Sequence, residues 1–90
     1  ANIYINICTT KIFIEKVKMT INYQEEIKFI SNKIRELRKE KQMTVQELAY
    51  RCDMERSNMS RIESGRTNLT VKTMCIICNA LNVNLRDIIR

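Results

Sequence analysis

The chain has no Trp, no Pro and no His, and only one Gly among its 90 residues. Each absence narrows what it can be. Without His, without a glycine-rich loop to cradle a phosphate and without paired carboxylates in a cleft-like pattern, an enzyme is not expected. The lack of Pro and near lack of Gly favour a mostly helical chain, because these two residues are the strongest helix breakers. No apolar stretch approaches the roughly 20 residues a membrane helix needs. No signal-peptide pattern is present, so a reducing compartment, the cytoplasm, is expected. Ninety residues suit one small domain that buries a modest core, and a second, catalytic domain has no room.

What is abundant is positive charge. Sixteen Lys and Arg stand against ten Asp and Glu, a formal net charge of +6, which favours a polyanionic partner. Basic helical surfaces are common, so charge alone does not decide the matter. The four cysteines are Cys8, Cys52, Cys75 and Cys78. Cys52, Cys75 and Cys78 fall on apolar helical positions, which predicts buried free thiols over disulfides. Cys75-x-x-Cys78 has the spacing of half a zinc site. It lacks a second ligand pair and lies inside the periodic apolar run Val71, Met74, Ile77, Cys78, Leu81, so the core reading outweighs the metal reading. No cofactor is expected.

Residues 1–18, ANIYINICTTKIFIEKVK, have strand-like texture: Ile3, Ile5 and Ile7, then Ile12 and Ile14, alternate with other residues around Thr9-Thr10-Lys11. Two short strands in a hairpin fit this pattern. Tyr4, Cys8 and Phe13 make both faces apolar, so such an arm would need covering by another chain. Met19 offers a natural start, and the residues before it read equally well as a native arm or as an expression or annotation artefact. From Gln24 to Lys41 the period becomes helical, with Ile27, Ile30, Ile34 and Leu37 on one face.

The next stretch, Thr44 to Gly65, organises the chain. Thr44 is an N-cap residue with Glu47 three places on as its capping-box partner. Val45, Leu48, Ala49 and Cys52 form one apolar face before the run breaks at Asp53-Met54. In the second helix, 56–63, Met59 and Ile62 make a narrow apolar stripe, while Arg56, Ser57, Asn58, Ser60 and Arg61 are polar, and Gly65 is the stop. Arg, Ser and Asn on one helical surface have the chemistry that reads base edges and phosphates in a major groove. Beyond the loop Arg66-Thr67-Asn68-Leu69, Thr70 caps a helix running to Leu81, Asn82 ends it in a left-handed conformation, and Asn84 caps a last short helix over 85–89.

The order Thr44…Glu47-Leu48-Ala49…Met59-Ser60-Arg61-Ile62-Glu63-x-Gly65-Arg66, then Ala80-Leu81-x-Val83, resembles the lambda-repressor-like, Cro-type (XRE) helix-turn-helix family over about residues 34–89. Two positions depart from that pattern. Val45 stands where the family opens the first motif helix with Gln, leaving Gln46 one place later, and Asp53 stands in the turn where Gly is usual. The resemblance implies a DNA-binding domain, with Arg56, Ser57 and Arg61 at the base-reading positions and Gln46, Asn58, Ser60, Arg66, Asn68 and Lys72 placed for phosphates. It also implies an internal ion pair between Arg38 and Glu63; the bland alternative is two solvated charges.

The fold expected is therefore all-α, five helices over residues 24–90 near 24–41, 45–52, 56–63, 70–81 and 85–89, preceded by an N-terminal extension, 1–23, forming an extended arm or β-hairpin. The function expected is sequence-specific binding of double-stranded DNA, as a transcriptional repressor or regulator. A symmetric homodimer is expected, joined through the arm or, as runner-up, through Leu85, Ile88 and Ile89. Two other readings stay open: an antitoxin that holds a toxin partner through another surface, and a protein-interaction module on the same fold.

Overall fold

The computed structural model describes residues 20–90, and the expected arm or hairpin lies outside them. Four α-helices follow in order: α1 (Tyr23–Glu40), α2 (Val45–Arg51), α3 (Arg56–Glu63) and α4 (Val71–Leu81), with a closing 3₁₀ helix at Leu85–Asp87. The fold is all-α. The fifth expected helix is thus only three residues of 3₁₀, because the chain must turn at once to drive Ile88 into the core, where it is 0% exposed.

Helix starts follow from side-chain caps. Asn22 Oδ1 accepts from the amides of Gln24 at 2.9 Å and Glu25 at 3.4 Å and opens α1. Glu25 and Glu26 in its first turn and Arg38 and Lys39 in its last complement the helix dipole. Thr44 Oγ1 accepts from Glu47 N at 3.0 Å, and Thr70 Oγ1 from Thr73 N at 3.1 Å, opening α2 and α4. The reciprocal half of the capping box at Thr44 is not made. Glu47 instead directs its carboxylate to Arg51, four residues on, at 2.9 Å, where an opposite charge outcompetes an amide.

Among the described residues three non-glycine residues take the left-handed conformation: Gln42 (φ 57°), Asp53 (φ 58°) and Asn82 (φ 59°). Asn82 and Asp53 can do so at modest cost through their short polar side chains. Gln42 has no such help, and nothing in the sequence marks it. Its conformation lets Met43 N reach back to Arg38 O at 3.1 Å, which turns the buried Met43 inward between α1 and α2. Gly65 (φ 79°) ends α3. A Cβ there would lie 3.5 Å from Lys28 Cγ, an ordinary contact, so the backbone angle rather than lack of space requires glycine.

The core joins Ile34 of α1, Met43, Leu48, Ala49 and Cys52 around α2, Met59 and Ile62 of α3, Ile77, Cys78 and Leu81 of α4, and Ile88. α2 and α3 pack most closely together; α1 packs on α3, and α4 lies against α1 and α2. Ile27, Ile30 and Leu37 are half-buried along the same edge of α1 as Ile34. Two positions of the expected apolar run on α4 are corrected. Val71 is 61% exposed and Cys75 is exposed, so Cys75 is not a buried thiol. They stand four residues apart on one stripe, rotated out of the core by the hundred-degree step that carries Met74, Ile77, Cys78 and Leu81 inward.

Candidate nucleic-acid interface

The second motif helix, α3, divides into two faces. Met59, Ile62 and Glu63 are buried, whereas Arg56, Ser57, Ser60 and Arg61 are exposed. The eight-residue helix is too short to be stable by itself, so its inner face must hold it. The bonds there are strong. Arg38 donates from Nε to Glu63 Oε2 at 2.7 Å and from Nη2 to Oε1 at 3.1 Å, a bidentate pair whose side chains are 10% and 5% exposed. Arg38 Nη1 donates to Met43 O at 2.7 Å, and Arg35 Nη2 donates to Glu63 O at 3.1 Å. The pair thereby ties α3 both to α1 and to the turn before α2. The left-handed Asp53 sets the angle between α2 and α3, with Met54 N donating to Ala49 O at 2.8 Å across the turn.

The outer face forms a shallow groove lined by Arg56, Ser57, Ser60, Arg61, Ser64 and Arg66. Five of these six residues were marked in the sequence as contacts to bases or phosphates. Ser64 was not, and its hydroxyl donates to Arg61 O at 2.8 Å, closing the last turn of α3 beneath the groove. A polar residue one place before the helix-ending Gly65 was the signal available for it. Gln46 on α2, Asn68 in the following loop and Lys72 in the first turn of α4 are exposed but do not line the groove. Asn58 is half-buried at the helix flank and does not line it either.

The cations on this face are unpaired. Among the described residues, Arg56, Arg61, Arg66 and Lys72 take part in no ion pair, while the pairs other than Arg38 with Glu63 engage Arg35 with Glu63, Lys33 with Glu36, Arg51 with Glu47 and Arg90 with Glu26. Guanidinium groups in this state present a fork of donors suited to guanine edges and phosphate oxygens. The cysteines contribute no chemistry at the groove. Burial pushes the Cys52 thiol up to about 11 and raises Cys78 as well, so both stay protonated near neutral pH. Among the described residues no three His, Cys, Asp or Glu side chains come together to hold a metal ion, and no helix is long and apolar enough to cross a membrane.

Comparison with known proteins agrees with this geometry. Residues 34–88, well over half of the chain, match the family described as Helix-turn-helix. No curated protein matches. Among solved structures, the restriction-modification controller protein C.AhdI from Aeromonas hydrophila is 22% identical with a TM-score of 0.71, the alignment covering 76% of this chain and 99% of that one. The clp gene regulator ClgR from Corynebacterium glutamicum is 24% identical with a TM-score of 0.67, over 69% of this chain and 66% of that one. A mutant of the restriction-modification controller protein C.Esp1396I is 33% identical with a TM-score of 0.63, over 70% of this chain and 81% of that one. The first two share the fold, and the third shares sequence as well. With its two short helices set by the Asp53 turn, its inner face locked through Arg38 and Glu63 and its match spanning residues 34–88, the chain belongs to the XRE family of helix-turn-helix proteins.

Proposed function

We propose that this chain is a sequence-specific double-stranded DNA-binding transcriptional regulator, acting as a repressor in the cytoplasm and reading the major groove with α3. The observation that carries the reading is the outer face of α3: unpaired arginines and serines on a helix whose position a buried bidentate ion pair dictates. A helix with its side chains is about 10–12 Å across, which matches the roughly 12 Å width of the B-DNA major groove. Arg56, Ser57 and Arg61 face base edges. Arg bonds in bidentate fashion to guanine O6 and N7, and a serine hydroxyl donates or accepts according to the base it meets.

Gln46, Asn58, Ser60, Arg66, Asn68 and Lys72 contact phosphates and fix the register of α3 without reading sequence. Ser60 and Arg66 do so from the groove itself, the others from its surroundings. The 33% identity to a restriction-modification controller protein supports a regulatory role. Repression requires only occupancy of a promoter, which a domain of this size supplies by binding.

The test is selection of bound duplexes from a random pool, followed by affinities for the enriched and a scrambled site at one salt concentration. A specific binder should hold the enriched site about a thousandfold or more tighter. Equal affinities would overturn the reading and favour a protein-interaction module on this fold.

A further inference from the structure

We propose that Glu55, at the entrance to α3, is a specificity-determining residue of the DNA interface, its carboxylate accepting a hydrogen bond from the N4 amine of a cytosine in the major groove. This rests on the reading of α3 as the helix that enters the groove. Glu55 is the N-cap of α3, with extended backbone (φ −74°, ψ 150°), and its carbonyl accepts from the amides of Asn58 at 3.0 Å and Met59 at 3.1 Å. The side chain is spent on none of this. Asn22, Thr44 and Thr70 each commit a side-chain oxygen to capping their own helix, whereas Glu55 makes no capping bond. Among the described residues it also makes no ion pair, although Arg56 is its neighbour, and it is exposed.

An exposed, uncommitted carboxylate at the tip of the helix that carries Arg56, Ser57 and Arg61 is favoured by the positive end of the helix dipole but carries two costs. It forgoes the stabilisation a Ser or Thr cap would supply, and it places negative charge where phosphates approach. Towards a base edge that carboxylate can act in one way only. An ionised carboxylate only accepts hydrogen bonds. In the major groove, guanine and thymine turn acceptor oxygens towards it, while cytosine offers its N4 amine without an adjoining acceptor on the same base. Glu55 therefore selects cytosine and rejects guanine and thymine at one position. Arg56, the next residue, is placed to take a neighbouring guanine, so the two side chains read adjacent donors and acceptors with opposite charge.

The decisive variant is Glu55→Ser, which removes the carboxylate and installs a better helix cap, so a loss of reading cannot be ascribed to unfolding. The full chain is measured against its selected site and against the site altered one position at a time, with random duplex as reference. Wild type should discriminate by roughly 5- to 150-fold at the cytosine position. In Glu55→Ser that discrimination should fall to about twofold, with the other positions unchanged and random duplex bound more tightly because a like charge has left the interface. Glu55→Gln, whose amide both donates and accepts, should shift the preference at the same position towards adenine. Undiminished discrimination in Glu55→Ser would overturn this assignment alone, as would an equal loss at every position. A wild-type chain without any preferred site would overturn it together with the DNA reading beneath it.

Discussion

At the level of single residues, the most consequential pair is Arg38 and Glu63. Breaking a buried ion pair on one side leaves an unpaired charge out of water, at a cost of about 3–5 kcal/mol. Glu63→Ala should therefore destabilise the domain by that order in chemical denaturation, and Glu63→Gln, which keeps the shape and part of the hydrogen bonding, by less. Gln42 offers the opposite outcome. A left-handed non-glycine residue costs roughly 1–2 kcal/mol, so Gln42→Gly should stabilise, raising the melting temperature by about 4–8 °C per kcal/mol in a domain this small. The two residues also differ in legibility. Arg38 and Glu63 were linked through the family pattern of the motif, whereas Gln42 belongs to a residue type with no left-handed preference, and its conformation follows from where Met43 must be buried. Cys52 supplies a pH effect. Its folded pKa, about 11, lies above the ordinary thiol value of 9.0, so the stability from burying the neutral thiol is complete below pH 9 and is lost as pH rises from 9 towards 11. The stability difference between wild type and Cys52→Ala, followed by denaturation across that window, should shrink as the pH rises.

At the level of elements, the helices were readable because their ends carry chemical markers: Thr44, Thr70, Gly65 and Asn82 each sit at the boundary their side chain or backbone favours. The failures share a cause. The 3₁₀ helix at Leu85–Asp87 and the outward turn of Val71 and Cys75 depend on where the core ends, which local pattern does not encode. The groove was legible in composition, but its lining required the fold, because Arg66 joins Arg56 and Arg61 only once Gly65 bends the chain back. The loop after α3 then has its own expected behaviour. Arg66→Ala, like Lys72→Ala, should weaken binding to all duplexes alike and lower the salt slope of log affinity by about one unit for the lost phosphate contact. Arg61→Ala should instead cost about 1–3 kcal/mol on the selected site and little on random duplex. An unchanged salt slope removes Arg66 or Lys72 from the interface, and equal weakening on both duplexes removes Arg61 from base reading.

For the whole molecule the open quantity is copy number. One domain reads a few base pairs, and discrimination against the many competing sites of a genome generally requires two copies on a two-fold-related site. Two surfaces were available in the sequence. The C-terminal one has contracted: Ile88 is fully buried within its own chain and Leu85 is half-buried, leaving Ile89, at 40% exposure, as its outward apolar residue. At the other end, Ile21 and Tyr23 are 64% and 67% exposed just before and at the start of α1, and further towards the N-terminus the sequence carries the apolar residues Ile3, Tyr4, Ile5, Ile7, Ile12, Phe13 and Ile14. The larger apolar content of the sequence is therefore on the N-terminal side, and burying it against a second copy is the expected association. The expected outcome is a symmetric dimer with its two α3 helices about 34 Å apart, one turn of DNA. Sedimentation of the full chain should give a dimer, and that of a chain beginning at Met19 a monomer at the same concentration. A dimer that survives the deletion unchanged transfers the interface to the C-terminal surface, where Ile89→Lys should then dissociate it, and a monomer at high concentration for both chains rules out the dimer in the absence of DNA.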